Sequence, residues 1–235
     1  MNETRPKRFY TEVTTQEQDG LHVIQLDGRT AKTVGRQPLG AASLALAEAM
    51  AGEWDEQAET IDLAAMPLTR LQGFVLDGGE GARAQWSETV LSYLGSDLLC
   101  YRAPDAKLAK RQADLWQPVL DQMGAALGGS FAVTEGVMAV EQPGDVIEGA
   151  GAKLSGLPPG DVFILKLLTE MTGSAVLALA LAEEMLSPDE AFAAARLDET
   201  YQAEIWGVDD EAAAREAALR RDFDDVIRFL ALSRA

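Results

Sequence analysis

The side chains best suited to metal binding or nucleophilic catalysis are scarce in this chain. Among its 235 residues there is one histidine, His22, and one cysteine, Cys100. A zinc site built from several His and Cys ligands is therefore excluded. A Ser-His-Asp or Cys-His arrangement would have to use His22, which lies in LHVIQL, an alternating run that predicts a β-strand. We expect His22 to be a structural or surface residue.

Two glycine-rich segments have a superficial likeness to phosphate-binding loops. GAGAKLSG, residues 149–156, lacks the Gly-Lys-Ser/Thr ending that places a lysine and a hydroxyl on a nucleotide phosphate and its metal. GGEG, residues 78–81, lacks this fingerprint as well. We interpret the first as a loop that ends a helix and the second as a loop between helices. We expect neither a nucleotide nor any other cofactor.

Carboxylates are abundant, since 38 Asp and Glu against 20 Lys and Arg give a formal net charge of −18. With so many acids, some pair close in space is expected by chance. A small-molecule enzyme that uses a carboxylate pair in the helical part is therefore an alternative, although no pattern selects the pair. The acidic balance argues against nucleic acid or an anionic membrane as a partner, because neutralising their phosphates requires Lys and Arg. It favours a protein partner with basic patches.

One segment, LDETYQAEIWG at residues 197–207, groups acids with large aromatic side chains. Asp198, Glu199 and Glu204 share a predicted helix with Tyr201 and Trp206. One interpretation is a helix with a polar outer face and aromatic anchors. The other is a recognition face, because aromatics and acids together suit a protein partner with exposed apolar and basic groups.

The elements that position these residues fall into two groups along the chain. Three short β-rich runs, which we interpret as an antiparallel meander, precede one amphipathic helix: Phe9–Thr14, Leu21–Leu26, Lys32–Val34 and the helix Ala41–Trp54. From Met66 and Pro67 onward, helical patterns dominate. We therefore predict an α+β fold, with a small β-rich domain containing one helix over residues 1–66 and a larger all-helical domain over residues 67–235.

The most apolar run of the chain is Asp161–Leu186. Lys166, Glu170 and a Thr-Gly-Ser triplet interrupt it, so neither half reaches the ~20 apolar residues that a membrane span requires. We predict two buried helices, Val162–Met171 and Ala175–Leu186, and no membrane insertion.

The strongest local signal for a helix start is SPDE at residues 187–190. Ser stands at the cap, Pro at the first helical position and Glu at the third, which is the sequence of a capping box. We predict that this helix runs to Trp206 and stops at Gly207, and that Asp209 caps the last helix.

The segment LDETYQAEIWG, followed by an acidic helix and IRFLAL, resembles the C-terminal signature of the ATP synthase α-subunit assembly chaperones, the Atp-twelve family. Further matches follow one another along nearly the whole chain: KRFY, LDGRTAKT, Pro38-Leu39, EWDEQAETID, MPLTRL and DLLCYRA. Their order and spacing are more specific than any single motif. The sequence departs from the family pattern at QGFVLD and QPVLDQM, both in the helical part.

The resemblance implies a chaperone without catalysis, metal or nucleotide, which holds the newly made α subunit until β arrives. It also implies a β-rich N-terminal domain followed by a helical one. Carried over to this sequence, it nominates Asp198, Glu199, Glu204, Trp206 and Trp54 as partner-binding residues. Trp54 has an alternative interpretation as a structural anchor of the first domain.

Three further expectations can be tested. Asp198 and Glu199 should be largely exposed if they belong to a recognition face. The unbound protein should be a monomer. The N-terminus lacks a clear targeting signal and there is one cysteine, so we expect a bacterial cytoplasmic protein, whereas eukaryotic members of the family are mitochondrial.

Overall fold

The computed structural model describes residues 5–136 and 138–235. By their internal contacts, the described residues up to 81 form one compact unit with residues 225–235, and the described residues of 82–224 form a second. Compared with the predicted division between residues 66 and 67, the first unit also includes residues 67–81 and the C-terminal end of the chain. The domain limits 1–66 and 67–235 stay a prediction.

The first unit is built on an antiparallel sheet of short strands. These are β1 (Val13–Gln18), β2 (Leu21–Leu26), β3 (Arg29–Thr30) and β4 (Gly40–Ala41). β2, whose predicted limits are confirmed, pairs with each of the other three. Asp19 and Gly20 join β1 to β2 with φ of 52° and 80°, as a two-residue hairpin turn with both central residues at positive φ requires.

The predicted first and third strands are wrong in position. Pairing with β2 begins at Val13 rather than Phe9, because the preceding residues are bonded elsewhere. The Arg8 N–H donates to the Glu59 carbonyl at 2.9 Å, and the buried Tyr10 donates its hydroxyl to the Trp54 carbonyl at 2.7 Å. In the predicted third strand, Lys32 forms an isolated bridge, to Pro38.

Helix α1 (Leu44–Asp55) packs on this sheet through Leu46, Ala47 and Met50, which are all buried. Its last turn also carries a buried carboxylate, Glu53. The two oxygens of Glu53 accept the backbone N–H groups of Leu68 and Thr69, both at 2.8 Å. Glu53 therefore satisfies two of the N–H groups that the next helix leaves unpaired at its start. Burial raises the pKa of Glu53.

The remaining elements are mostly helical. They are α2 (Pro67–Gly95), β5 (Tyr101–Arg102), α3 (Ala106–Leu127), β6 (Thr134–Glu135), α4 (Gly144–Ser155), α5 (Pro159–Thr172), α6 (Ala175–Ala182), α7 (Pro188–Ala195), α8 (Leu197–Trp206) and α9 (Asp210–Ser233). The predicted α+β fold class, a strand-rich N-terminal part before a larger helical part, is confirmed. The helical part also contains one two-residue parallel pair, β5 with β6.

The core of the second unit contains α5 and α6, as the apolar run predicts. Every residue from Ala175 to Leu181 is buried. α6 ends before the predicted Leu186, because Glu184 adopts φ 57° and the Met185 N–H turns back to the Ala180 carbonyl at 2.9 Å. Within residues 5–136 and 138–235, no helix is long and apolar enough to cross a membrane.

The predicted helix from Pro188 to Trp206 is wrong, since the chain divides at Arg196 into α7 and α8. The capping box of Ser187 and Glu190 is confirmed. In a continuous helix the Ala194 carbonyl would accept the N–H of the residue four positions later. Here it accepts the indole N–H of Trp116 from α3, at 3.0 Å. This tertiary bond coincides with the break and ties the end of α7 to α3.

Candidate functional site: the α8 surface

Helix α8 carries four of the five predicted site residues, and polar contacts hold one of its faces against α3. Asp198 accepts a hydrogen bond from the Gln112 amide nitrogen at 2.8 Å. Gln112 is 1% exposed, and its amide oxygen accepts the Ala103 N–H at 2.7 Å. Asp198 is half-buried, so the expectation that it would be largely exposed is wrong. Its carboxylate is the acceptor that a buried amide requires.

One turn further along α8, Tyr201 makes the second contact with α3. Its ring is buried, and its hydroxyl donates to the Asp105 carboxylate at 2.9 Å. Asp105 also caps α3 by accepting the N–H groups of Lys107 and Leu108, and these bonds, with that of Leu108 largest, lower the Asp105 pKa. The guanidinium carbon of Arg111 lies 5.2 Å from the centre of the Tyr201 ring, within the range of a cation–π contact.

The third contact joins Glu204 to Arg111. Nη1 of Arg111 lies 2.9 and 2.8 Å from the two carboxylate oxygens of Glu204. The hydrogen bond from Arg111 lowers the Glu204 pKa. Both side chains are partly exposed, so the pair contributes little to stability. Asp198, Tyr201 and Glu204 therefore follow one another at intervals of three residues along the face of α8 that contacts α3.

Glu199 lies on a different part of α8 and is exposed, as expected. Its carboxylate pairs with Arg196 at 2.7 Å, and Arg196 also reaches Glu216 at 2.9 Å. This arrangement leaves Glu199 at the surface while anchoring its partner to α9.

At its C-terminal end α8 presents apolar side chains to solvent. Trp206 is 81% exposed, and its neighbours Ile205 and Val208 are 51% and 61% exposed. We call these three residues the α8 tip. Gly207, with φ 83°, ends the helix between Trp206 and Val208. Three acids follow, Asp209, Asp210 and Glu211. Asp209 caps α9 by accepting the Ala212 N–H at 2.7 Å.

Ile205 and Val208 were missed from the sequence, although each is an apolar residue within two positions of a tryptophan at a predicted helix end. Arg111 and Gln112 were missed because the sequence around them carries no signal for partners on α8.

Trp54 belongs to the first unit, whereas the other four predicted residues belong to the second. Its indole is half-buried at the end of α1 and meets the Tyr10 ring edge-on, with the ring centres 5.7 Å apart. The indole N–H is buried and has no hydrogen-bond partner among the described residues.

The groups that could support other chemistry have structural partners. Asp97 is fully buried and accepts the Ser174 hydroxyl at 2.7 Å and the Val176 N–H at 3.0 Å, so it caps the start of α6. Burial raises the pKa of Asp97 to about 6. Cys100 is buried, and burial raises its thiol pKa to about 12, which keeps it protonated at neutral pH. No group of three or more His, Cys, Asp or Glu among the described residues is placed to hold a metal ion.

The two glycine-rich segments differ in outcome. GGEG marks the predicted break between two helices, since Gly79 leaves helical geometry with φ 48° and ψ −147° and kinks α2, although the break is a single residue rather than a loop. The interpretation of GAGAKLSG as a loop is wrong. GAGAKLSG forms the second half of α4 and ends at Gly156. A Cβ at Gly149 would lie 2.0 Å from the Leu127 carbonyl oxygen, so this glycine permits close contact between α4 and the end of α3.

The comparisons with known proteins agree on one family. The family model described as ATP12 chaperone protein matches residues 7–124, half of the chain. The crystal structure of Atp12 from Paracoccus denitrificans superimposes with a TM-score of 0.91 at 34% identity, covering 97% of this chain and 98% of that one. A protein of Agrobacterium tumefaciens described as a candidate chaperone gives 0.90 at 41% identity, with coverage of 96% and 85%.

A curated relative agrees with these matches. The mitochondrial protein atp12 of Schizosaccharomyces pombe is 23% identical over 219 residues, which are 88% of this chain and 75% of the relative. The chain therefore belongs to the ATP12 chaperone family, the ATP synthase assembly chaperones that its sequence resembles.

Proposed function

We propose that this chain binds the unassembled α subunit of the F-type ATP synthase head and protects it from aggregation until it pairs with β. Membership of the chaperone family and the resemblance to its α-subunit chaperones support this proposal. A subunit without its neighbours exposes the surface that it will later bury, and large apolar patches of this kind drive aggregation. Covering such a surface requires a complementary face and no catalytic group.

The observation that carries the proposal is the exposure of the α8 tip. Trp206 is 81% exposed, and two further exposed apolar residues lie within two positions of it, in a strongly acidic protein. Tryptophan is enriched among the residues that dominate binding energy at protein interfaces. The acids that open α9 add a negative border, which favours a client segment with apolar and basic side chains.

The remaining predicted residues take different roles in this proposal. Asp198 is a positioning residue, since its carboxylate is bonded to the buried Gln112 of α3 and holds α8 in place. Glu204 forms an exposed ion pair with Arg111 of α3. Glu199 is exposed and can meet a basic group of the client. Trp54 acts by supporting the first unit through its packing on Tyr10.

Replacing Trp206 by alanine tests the α8 tip directly. We expect Trp206→Ala to raise the dissociation constant for purified, unassembled α subunit by at least about tenfold, because an aromatic anchor at the centre of an interface typically contributes this much. Met138→Ala is the matched control, since Met138 is a 74% exposed apolar residue of the same unit outside the tip.

Both variants should keep the melting temperature of the parent, because neither side chain is buried. Biolayer interferometry with immobilised chain and soluble α subunit measures the affinities. Equal affinity of the parent and Trp206→Ala would show that the α8 tip does not carry the binding.

A further inference from the structure

The LDGRTAKT segment leads into a short loop of the first unit whose apolar residue, Val34, lies outside the core. Thr33–Gln37 is a tight loop between Lys32 and Pro38, which bridge each other. The Thr33 N–H donates to the Gln37 carbonyl at 2.9 Å, and the Arg36 N–H donates to the Thr33 carbonyl at 3.0 Å. At the outer end of this loop, Val34 is 96% exposed. We call Thr33–Gln37 the 33–37 loop.

Helix α2 fixes the 33–37 loop in place through one carboxylate. Asp77 accepts the Gly35 N–H at 2.9 Å and also the hydroxyl of Thr33. A Cβ at position 35 would lie 2.5 Å from Oδ1 of Asp77, so a side chain there would push the Asp77 carboxylate away from the loop. Val34 stands between the two bonded residues. Its exposure is thus part of an ordered structure, and little loop entropy remains to be lost when a partner binds it.

Cations and a second apolar side chain accompany the 33–37 loop. Lys32 and Arg36 are exposed on either side of Val34. On α2, Arg70 and Phe74 precede Asp77 by seven and three residues, which places them on the same helix face. Phe74 is 61% exposed, and Arg70 is exposed as well. Within the described part of the chain, no carboxylate forms an ion pair with Lys32, Arg36 or Arg70, although the protein carries a net charge of −18.

We propose that the 33–37 loop, together with Arg70 and Phe74, is a second docking surface, and that it binds a segment of the client that carries apolar side chains beside Asp or Glu. This inference rests on the proposed function, since the client is the unassembled α subunit. Charge complementarity identifies the occupant, because three cations without carboxylate partners attract an acidic segment. The α8 tip has the opposite border of acids, so the two surfaces select different segments of one client.

The test uses the full-length chain and purified, unassembled α subunit. Val34→Asp places a carboxylate at the apolar contact, and Arg36→Glu reverses one cation. We expect each to weaken capture by about tenfold or more, with a smaller dependence on salt for Arg36→Glu. Lys7→Glu is the matched control, because Lys7 is an exposed cation of the same unit outside this surface, and it should bind as the parent does. Val34 and Arg36 are exposed, so both variants should melt with the parent.

A third variant separates the contacts from their support. Gly35→Ala keeps Val34 and Arg36 but forces the loop away from Asp77, so it should weaken capture as well. If the parent binds the α subunit, Trp206→Ala loses it, and both Val34→Asp and Arg36→Glu bind normally, the second surface is refuted while the proposed function stands. If the parent itself fails to bind, both fall together. If the parent chain forms a dimer that Val34→Asp and Arg36→Glu abolish, while both variants still capture the α subunit, the surface binds a second copy of this chain and the inference is wrong.

Discussion

Replacing Asp198 by lysine distinguishes a positioning residue from a contact residue on α8. The substitution removes the acceptor of the Gln112 amide, and Gln112 is buried. Leaving such a donor unsatisfied costs about 1–3 kcal/mol. The lysine also puts a positive charge in the first turn of α8, which costs roughly 0.3–1 kcal/mol against the helix dipole. We expect the free energy of unfolding to fall by about 1.3–4 kcal/mol in total.

Glu199→Lys is the matched control, because Glu199 lies in the same helical turn and suffers the same dipole effect and charge change. It loses an exposed ion pair with Arg196, which contributes at most about 1 kcal/mol. The difference between the two variants therefore isolates the bond to Gln112. Asp198→Asn retains an oxygen that can accept this bond and should recover most of the loss.

Differential scanning calorimetry of the three variants measures the effect. For a chain of this size, ~1 kcal/mol shifts the melting temperature by roughly 2–4 °C, so Asp198→Lys should melt about 3–16 °C below the parent. Glu199→Lys, which loses at most about 2 kcal/mol, should melt above Asp198→Lys and no more than about 8 °C below the parent, and Asp198→Asn should melt close to the parent. If Asp198→Lys and Glu199→Lys melt together near the parent, Asp198 is not a positioning residue and the assignment of its carboxylate to α3 is wrong.

Three other predictions concern the two compact units. Burial raises the pKa of Asp97 from 3.8 to about 6, so the stability that the neutral acid provides is fully present below pH 3.8 and lost as the pH rises through 6. The stability of the parent relative to Asp97→Asn should therefore fall by about 3 kcal/mol from well below pH 3.8 to well above pH 6 in urea titrations, and a difference that rises with pH would contradict it. Trp54→Ala should destabilise the first unit by about 3 kcal/mol through lost packing on Tyr10, with Trp54→Phe recovering part of it in thermal melts; an unchanged melt would favour a contact role for this residue. Gly149→Ala should cost about 1–3 kcal/mol by separating α4 from Leu127, whereas Gly151→Ala, with open space around its Cα, should be neutral or stabilising.

The parts of the fold that were predictable are those set by neighbouring residues. β2 follows from a six-residue run rich in apolar and β-branched residues after a turn signal, and the buried pair α5 and α6 follows from an apolar run with a Thr-Gly-Ser break. Gly173 ends α5 in the left-handed conformation, and Ser174 caps α6 through the Leu177 N–H at 3.0 Å. Such signals need no knowledge of the rest of the chain.

The features that escaped sequence reasoning depend on partners far away in the chain. The predicted C-terminal helix divides at Arg196, next to a long-range hydrogen bond. The indole N–H of Trp116 donates to the carbonyl of Ala194, 78 residues away in the chain. The burial of Asp198 depends on Gln112, 86 residues away, and the bonding of Glu204 on Arg111, 93 residues away. The family motif nominated these acids as partner-binding residues, which stays a prediction. It could not tell an acid bonded to α3 from one that faces solvent.

The proposed function makes its most direct prediction for purified subunits. The chain, mixed with unassembled α subunit, should form a 1:1 complex in size-exclusion chromatography and suppress the light scattering of α as it aggregates. It should form no complex with isolated β, and addition of β should release the chain as α pairs with β. If α aggregates equally fast with and without the chain, and no complex elutes, the chain does not hold the α subunit and the proposed function is wrong.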